Sequence, residues 1–297
     1  MDERMNHAKG APMGSNAKLF EGEKLLVGVS VIGFLLALVC AVYVAMNGAT
    51  VSPEGNVKSA FSFNAAIAMF TLCMAAFIPL SGLNPRKRAR IRWGFVLTIL
   101  IGYAIETIQH FRGIHPRFTK AGSVFDVMVG GFFGLLSVAL VILTVLFAVS
   151  FFTQKIRPLL NLGIRYAFGS TMLGFVAGMV MIALQSRYTG PSGNFIVLHG
   201  LGFHALQTLP LLGWLLERAK CGYERARTLI HIGSIAWLLS NLCIGLHTVR
   251  GESVFELTLW PIVALVALLV WLLVAVICAS EAFRHSLVKR DTSMDHS

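Results

Sequence analysis

Charged residues are scarce in this sequence: Asp, Glu, Lys and Arg together account for 13% of its 297 residues. A soluble globular domain uses about 25% charged residues to cover its surface. Hydrophobic residues make up 56% of the chain, and the mean hydropathy is +0.73. The scarcity of charge excludes an ordinary water-soluble domain, and we expect much of the protein surface to face lipid.

The sequence also lacks the signatures of several enzyme classes and of cysteine-based folds. It contains no P-loop, dinucleotide fingerprint, nucleophile elbow or zincin motif, which argues against the usual soluble types of nucleotide and hydrolytic chemistry. None of its five cysteines forms a CxxC pair, and four lie within apolar runs (Cys40, Cys73, Cys243 and Cys278). We interpret these four as small packing residues, and a disulfide scaffold is not expected.

Long apolar runs dominate the chain instead. A helix needs about 20 apolar residues to cross the hydrocarbon core of a bilayer. Eight runs have this character, at residues 25–46, 60–80, 93–111, 124–152, 162–186, 195–216, 229–248 and 255–280. The sequence therefore predicts an all-α integral membrane protein, a bundle of about eight transmembrane helices forming one domain over residues 25–280. The flanking residues 1–24 predict a disordered cytoplasmic tail, and residues 281–297 a cytoplasmic C-terminal tail.

The net charge of +11 is concentrated in the segments between the runs. With a cytoplasmic N-terminus, the segments on that side carry nineteen of the 25 Lys and Arg residues, and the segments on the other side carry six. An excess of Lys and Arg marks the cytoplasmic side of a membrane protein. We therefore expect a multi-pass protein of the inner (plasma) membrane with both termini in the cytoplasm. The expected partner is the lipid bilayer and not nucleic acid, and the oligomeric state is left open.

Two helix ends share a short pattern that points to an internal repeat. The third run ends in residues 109–113 (QHFRG) and the seventh in residues 247–251 (HTVRG), and both run from inside to outside. Four runs separate the two copies, which is the arrangement expected of two four-helix halves in parallel orientation. The alternative is that two unrelated helices end alike at the headgroups, where Arg extends to the interface and Gly caps the helix.

Polar and ionisable residues lie mainly in the outer halves of the runs, and the cytoplasmic halves are almost purely apolar apart from His231. The outer positions are Glu106, Gln109, His110, Asp126, Gln185, Arg187, His199, His204 and His247. Because ionisable residues inside a bilayer are costly unless they are paired or hydrated, this placement predicts a polar pocket open to the outer side. The alternative is that these residues only hold helices together, with Glu106 paired to Arg112 or Arg187.

The sixth run carries two of these polar residues and a third, Gln207. His199 and His204 are five residues apart, which prevents them from binding one metal as an i,i+4 pair would, whereas His204 and Gln207 share a face. Pro210 is expected to break this helix and to free the carbonyl oxygen of Leu206. Interrupted helices with free carbonyl groups line binding sites in many membrane proteins. The alternative is a simple kink at the proline, which is the more frequent case.

Two segments of the chain resemble a known family. Residues 106–113 (ETIQHFRG), with Phe118 and Asp126, and residues 199–215 (HGLGFHALQTLPLLGWL) are similar to a family of uncharacterised bacterial polytopic membrane proteins. The resemblance spans helices three to eight and is most specific at HALQTLPLLGWL. It departs at His247, where glutamine is expected, and at His110, where a small residue is expected. It implies no reaction, but it implies a set of site residues: Glu106, Gln109, Arg112, Asp126, His199, His204 and Gln207.

Three functions agree with such a pocket. The first is binding of haem, quinone or another redox cofactor, because histidine suits haem ligation, and Glu and Arg suit haem propionates or a quinone carbonyl. The second is proton- or ion-coupled transport of a small solute, with Glu106 and the kinked helix six at the site. The third is a metal-dependent enzyme that acts on a lipid at the outer leaflet. We favour the first, and whether the protein is an enzyme is left open.

Overall fold

The computed structural model describes residues 18–219 and 221–294, and in these ranges it contains eight long helices. They are α1 (Lys24–Asn47), α2 (Val57–Phe77), α3 (Pro85–Phe111), α4 (Val124–Thr153), α5 (Pro158–Leu184), α6 (Phe195–Leu216), α7 (Tyr223–Val249) and α8 (Leu259–Met294). A short 3-10 turn, Ile78–Leu80, follows α2. The predicted eight-helix, all-α fold is confirmed.

All eight helices are long and apolar enough to cross a membrane. The 24 residues of α1, for example, correspond to about 36 Å at about 1.5 Å per residue, which exceeds a hydrocarbon core of about 30 Å. Many apolar side chains on the outside of the bundle are exposed, such as Leu38 and Val39 at 59% each. An apolar surface of this extent is expected where a protein faces lipid, and the chain is a multi-pass membrane protein.

Several helices are longer than the apolar runs predict, and α3 and α8 extend furthest beyond them. The helix α3 begins at Pro85 and not at residue 93, because the Asn84 side chain accepts a hydrogen bond from the Lys87 amide and proline occupies the first turn. The basic block at residues 86–92 is therefore helical. At the other end of the chain, α8 continues to Met294, through most of the segment predicted as a C-terminal tail. Most of the predicted N-terminal tail, residues 1–17, lies outside the described residues.

The expected break in helix six is wrong. The helix α6 runs without interruption from Phe195 to Leu216, with Pro210 inside it. A proline in a membrane helix is tolerated where neighbouring elements pack closely around it. Here Gly163 of α5 lies so close that a Cβ atom on it would be 2.5 Å from the carbonyl oxygen of Leu209. The proline is therefore accommodated by tight packing between α5 and α6.

Two short β-hairpins were not predicted from the sequence. Strands β1 (Thr50–Val51) and β2 (Gly55–Asn56) join α1 to α2, and strands β3 (Tyr188–Thr189) and β4 (Gly193–Asn194) join α5 to α6. Each hairpin is antiparallel and leads directly into the next helix. The first residue before each of these helices is an asparagine in the same backbone conformation, with φ/ψ of −141°/98° at Asn56 and −142°/105° at Asn194. The two connections are thus built alike.

The two hairpins also dock alike on the turn that ends the third helix of their own half. The amide of Glu54 donates to the carbonyl oxygen of Gly113 at 2.8 Å, and the amide of Ser192 donates to that of Gly251 at 2.9 Å. Both of these glycines have φ of +78°, a conformation that favours glycine. The QHFRG and HTVRG segments therefore have the same structural role, which supports the predicted four-plus-four repeat.

The loops define two ends of the bundle. We call the end that carries both hairpins, residues 112–123 and residues 250–258 the hairpin end. The opposite end, with residues 86–92 and the α4–α5 and α6–α7 turns, is the basic end. The halves meet where α6 packs on α2, with the rings of Phe70 and Phe203 at 5.9 Å. Six of the seven residues implied by the resemblance belong to α3, α4 and α6, and Arg112 directly follows α3.

Candidate functional site

A buried carboxylate lies at the hairpin end of α3. The side chain of Glu106 is 1% exposed, and its Oε2 atom accepts a hydrogen bond from Nη2 of Arg117 at 2.6 Å. Its other oxygen, Oε1, lies 3.4 Å from Nε2 of His110, one helical turn further along α3. A carboxylate buried in a membrane protein requires a paired charge, and Arg117 supplies it. The predicted pairing of Glu106 with Arg112 or Arg187 is wrong.

The hydrogen bonds of His110 indicate which of its nitrogens carries the proton. Its Nδ1 atom accepts from the backbone amide of Asn56 at 3.1 Å, so Nδ1 has no proton and the neutral ring carries its proton on Nε2. This Nε2–H faces Glu106, but neither Nε2 nor Oε1 has a hydrogen-bond partner among the described residues. Nε2–H of His110 is thus a buried donor that faces a buried acceptor, Oε1 of Glu106, without forming a well-aligned hydrogen bond.

Arg117 connects Glu106 to aromatic residues of two other helices. Its guanidinium lies 5.5 Å from the ring centroid of Phe63 on α2 and 5.1 Å from that of Phe133 on α4. An arginine over aromatic faces is held by a cation–π interaction. Sequence reasoning missed Arg117 because it stands in a loop, outside every apolar run. Nothing in the sequence around Arg117 indicates that it, and not Arg112, is the partner of Glu106.

His115 fixes the loop that presents Arg117. Its Nδ1 atom accepts from the backbone amides of Arg117 and Phe118 at 3.2 and 3.1 Å, and its ring stacks on that of Phe118 at 5.5 Å. Burial, followed by the nearby positive charge of Arg117, lowers the pKa of His115 from its usual value. The neutral ring that accepts two amide hydrogens is therefore the favoured form, and this residue has a positioning role.

A second polar cluster joins α3 to the start of α4. Asp126 accepts hydrogen bonds at Oδ1 from Gln109 Nε2 at 3.1 Å and from Arg112 Nη1 at 2.7 Å. Its Oδ2 atom accepts from the amide and the hydroxyl of Ser123, which completes a capping box at the start of α4. All of the acceptor atoms are thus used within the protein, so these three predicted site residues have a structural explanation.

On α6, His199, Phe203 and Gln207 follow one another at intervals of four residues and share one face. Nδ1 of His199 lies 2.8 Å from the carbonyl oxygen of Gly174 on α5. A carbonyl oxygen only accepts, so Nδ1 carries the proton and Nε2 is left as a free acceptor. Further along, Gln207 Nε2 donates to Sγ of Cys73 at 3.0 Å. This face of α6 therefore packs against α2, with the imidazole of His199 nearest to the hairpin end.

His204 does not belong to the same group. Its side chain is exposed, and its Nδ1 atom lies 3.3 Å from Oε1 of Gln207 on the same helix. Among the side chains of residues 18–219 and 221–284, no group of three or more His, Cys, Asp and Glu residues is placed to hold a metal ion. The structure brings Glu106 to Arg117 and His110, and Gln109 and Arg112 to Asp126, but it does not bring His199 and His204 together.

The Glu106 cluster and His199 belong to the same region of the bundle. Glu106 and His199 both lie within about two helical turns of the hairpin end, Glu106 on α3 and His199 on α6. The ring of Phe203 lies 4.8 Å from that of His199 and 5.0 Å from that of Phe175. We call Glu106, His110, Arg117 and His199 the outer cluster. It combines a buried anion, a cation and a free imidazole nitrogen beside apolar rings, a set that suits a flat ligand with a few polar atoms.

The second half of the chain has no counterpart of the buried acid. Gly251 and Gly113 are equivalent by their docking, so Ile244 stands at the position of Glu106 and His247 at that of Gln109. His247 is buried, with Nε2 at 2.8 Å from the carbonyl oxygen of Ser253. The buried carboxylate is therefore a feature of the first half and is not repeated in the second.

Comparisons of the chain with family models, curated proteins and solved structures find no match. The resemblance carried by the segments around Glu106 and His199 consequently stays a prediction. The function has to be argued from the chemistry of the outer cluster itself.

Proposed function

We propose that this multi-pass membrane protein binds a flat redox cofactor, a quinone or a haem, at the outer cluster between its two halves. The observation that carries the proposal is the pair of complementary groups found there. His199 offers an unprotonated Nε2 atom whose ring is oriented by Gly174, and Arg117 offers guanidinium N–H groups held by Glu106. The rings of Phe63 and Phe203 supply apolar surface beside these groups.

A quinone headgroup matches this set of groups. One of its carbonyl oxygens can accept a hydrogen bond from Arg117, and the hydroxyl of the reduced form can donate to Nε2 of His199. The ring itself is apolar and suits an aromatic wall. Quinones dissolve in the bilayer, so such a ligand can approach the bundle from the side.

A haem also suits His199. Metal-ligating histidines almost always donate their other ring nitrogen to a carbonyl or carboxylate group, as the Nδ1 of His199 does to Gly174. Arg112 and Arg117 stand at the same end and suit haem propionates. Quinone and haem thus require the same imidazole nitrogen, and they differ in their spectra.

The test is an absorption spectrum of the protein purified in detergent, before and after dithionite, together with extraction of quinone from the same sample. A Soret band that shifts on reduction identifies haem, and co-purified quinone identifies the other ligand. The variant His199→Leu is expected to lose the ligand, and His204→Leu, which alters an exposed histidine on the same helix, is expected to keep it. A colourless protein that binds no added quinone refutes the proposal, as does equal retention by both variants.

Proton-coupled transport is the second candidate, and the repeat is the observation in its favour. Many transporters consist of structural repeats, including parallel ones, with the site at the interface between them. In that case Glu106 is the proton-binding group, and Glu106→Gln abolishes proton uptake into vesicles that contain the protein. We do not propose a metal-dependent enzyme, since no set of metal ligands is found among the described residues.

We also propose that the hairpin end faces the periplasm and that both termini lie in the cytoplasm of a cell whose inner membrane holds the protein. The supporting observation is the distribution of Lys and Arg, which are concentrated at the basic end. The outer cluster then lies near the periplasmic surface, where it meets ligands that approach from the bilayer or from the periplasm.

A further inference from the structure

The basic end of the bundle contains a cavity that the outer cluster does not involve. Its volume is about 410 Å³, and it is formed by the α4–α5 turn, by α5 and by the start of α7. Small-molecule sites have volumes of about 300–1,000 Å³, so this cavity has room for a ligand. Pro158 and Leu162 contribute an apolar wall to it, and Gln154 contributes a polar one.

Three basic side chains line this cavity: Lys155, Arg165 and Arg227. No acidic residue lines it among the described residues. The nearest carboxylate to Arg227 belongs to Glu224, which is 3.8 Å away and 81% exposed, so that water screens this pair. Lys155 makes no hydrogen bond or ion pair with the part of the chain that the structure describes. The cavity is therefore positively charged and has no anion of its own.

Arg165 is held in place by the backbone around it. Its Nε atom donates to the carbonyl oxygen of Phe151 at 2.9 Å, and its Nη2 atom donates to that of Gln154 at 3.0 Å. These bonds use the end of α4 and leave Nη1 without a partner among residues 18–219 and 221–284. A guanidinium that is already immobilised loses little conformational freedom when it binds an anion. Arg165 is thus a preorganised donor at the wall of the cavity.

Two helices also begin at this cavity. Both Pro158, the first residue of α5, and Tyr223, the first residue of α7, line it. The N-terminal end of a helix carries a partial positive charge that attracts anions. At α5 this end is already occupied, because the Leu160 amide donates to Oε1 of Glu217 at 3.1 Å, whereas no side chain caps the start of α7 among the described residues. On the inner side of the cavity, His231 pairs through Nδ1 with the hydroxyl of Tyr166 at 2.8 Å. The basic side chains and the start of α7 therefore favour the same sign of ligand charge.

We propose that this cavity binds a phosphate group, either that of an anionic lipid headgroup or that of a free phosphate compound. Three cations that share one cavity repel one another, and a bound phosphate removes this repulsion. Arginine and lysine are the residues that most often bind phosphate, through paired N–H donors and through point charge respectively. The site lies at the opposite end of the bundle from the outer cluster and does not depend on the function proposed for that cluster.

The test uses the full chain, purified in a non-ionic detergent and stripped of lipid. Its unfolding temperature is followed by tryptophan fluorescence during two titrations. The first compares sodium phosphate with sodium chloride at equal ionic strength. The second compares short-chain phosphatidylglycerol with an uncharged glycolipid of the same chain length. Ligands that bind only the folded state raise the unfolding temperature as their concentration increases.

Two double variants carry the same loss of charge at the basic end. Lys155→Gln with Arg227→Gln alters the cavity, and Lys87→Gln with Arg90→Gln removes two exposed charges elsewhere at that end. The cavity variant is expected to weaken binding of the phosphate probe at least tenfold, about 1.4 kcal/mol, and the control variant is expected to leave it unchanged. Lys155→Gln alone serves if the double variant does not fold, since Lys155 has no partner within the described residues.

The outcomes separate the sources of the phosphate. Stabilisation by both probes supports a site for the phosphate group itself, and stabilisation by phosphatidylglycerol alone identifies a lipid headgroup as the ligand. The proposal is overturned if neither probe stabilises the protein beyond its control. It is also overturned if the two double variants lose binding equally, because the effect then arises from the net charge of the basic end.

Discussion

The pairing of Glu106 with Arg117 leads to a sharp prediction about stability. Glu106 is 1% exposed, and among the described side chains its one cation within 4.0 Å, apart from the ring of His110, is the guanidinium of Arg117. Removal of one partner of a buried ion pair costs about 3–5 kcal/mol, because the other charge is left buried and unpaired. The Arg117 side chain is 32% exposed, so we expect the lower end of this range, about 3 kcal/mol, for Arg117→Ala.

Replacing both charges is expected to cost less than removing one. The second half of the chain has Ile244 at the position of Glu106, so an apolar side chain fits this point of the repeated framework. We expect Glu106→Ile with Arg117→Leu to lie within about 2 kcal/mol of the wild type. The residual cost arises because Nε2–H of His110 then loses the carboxylate that faces it at 3.4 Å.

The assay is reversible unfolding of the purified protein in mixed micelles, followed by tryptophan fluorescence. Arg112→Ala serves as the matched control, since Arg112 is 48% exposed and Asp126 keeps its bonds from Gln109 and Ser123. It is expected to cost about 1–2 kcal/mol. The reasoning is refuted if Arg117→Ala costs no more than Arg112→Ala, or if the apolar double variant is less stable than Arg117→Ala.

Three further predictions concern the hairpin end and the topology. Hydrogen bonds from Thr119 and from the amides of the same loop lower the pKa of Glu54. The ionised carboxylate therefore stabilises the folded state at pH values above its usual pKa, and this stabilisation is lost as the pH falls through the lowered pKa. The unfolding temperature of the wild type is therefore expected to fall more steeply below pH 4.5 than that of Glu54→Gln, and parallel curves contradict this. Gly113 has φ of +78°, and a Cβ atom there would lie 2.0 Å from the carbonyl oxygen of Ser52. We therefore expect Gly113→Ala to lower the free energy of unfolding by more than about 2 kcal/mol in the micelle assay. The control is Gly134→Ala, which has open space around it and is expected to lower this free energy by less than about 0.5 kcal/mol. A C-terminal reporter that fluoresces only in the cytoplasm is expected to be bright. If a reporter that is active only in the periplasm is active at the same position, the proposed orientation is wrong.

The helices could be predicted from the sequence because the bilayer imposes a simple rule on it. Each span must be about 20 residues long and apolar, and such runs are visible without any knowledge of packing. Helix ends were less predictable, since α3 begins within a basic block whose residues are polar but helical. The hairpins were not predicted at all, because strands of two residues leave no periodic pattern. Their equivalence emerges only when the docking of Glu54 and Ser192 is compared.

The outer cluster was predictable in its location but not in its pairing. Glu106 and His199 stand out because ionisable groups are rare inside apolar runs. Arg117 does not stand out, since a loop is an ordinary place for arginine, and nothing in the spacing along the chain brings it back to α3. Arg112 is the arginine nearest to Glu106 along the chain, but its guanidinium donates to Asp126 instead. Long-range pairings of this kind depend on how a loop folds, here on the two amide bonds that His115 accepts.

The repeat provides an argument that the outer cluster is functional and not structural. The two halves share helix order, hairpins and docking contacts, so equivalent positions meet similar packing demands. At one such position the first half buries the charged Glu106 and the second half buries the apolar Ile244. A buried ion pair is seldom more stabilising than apolar residues of similar size, so the framework has no energetic need of the charge. If Glu106→Ile with Arg117→Leu folds as expected but no longer binds cofactor, the charges are present for the ligand. Retention of the ligand by this folded variant would instead show that the pair is a structural feature of the first half alone.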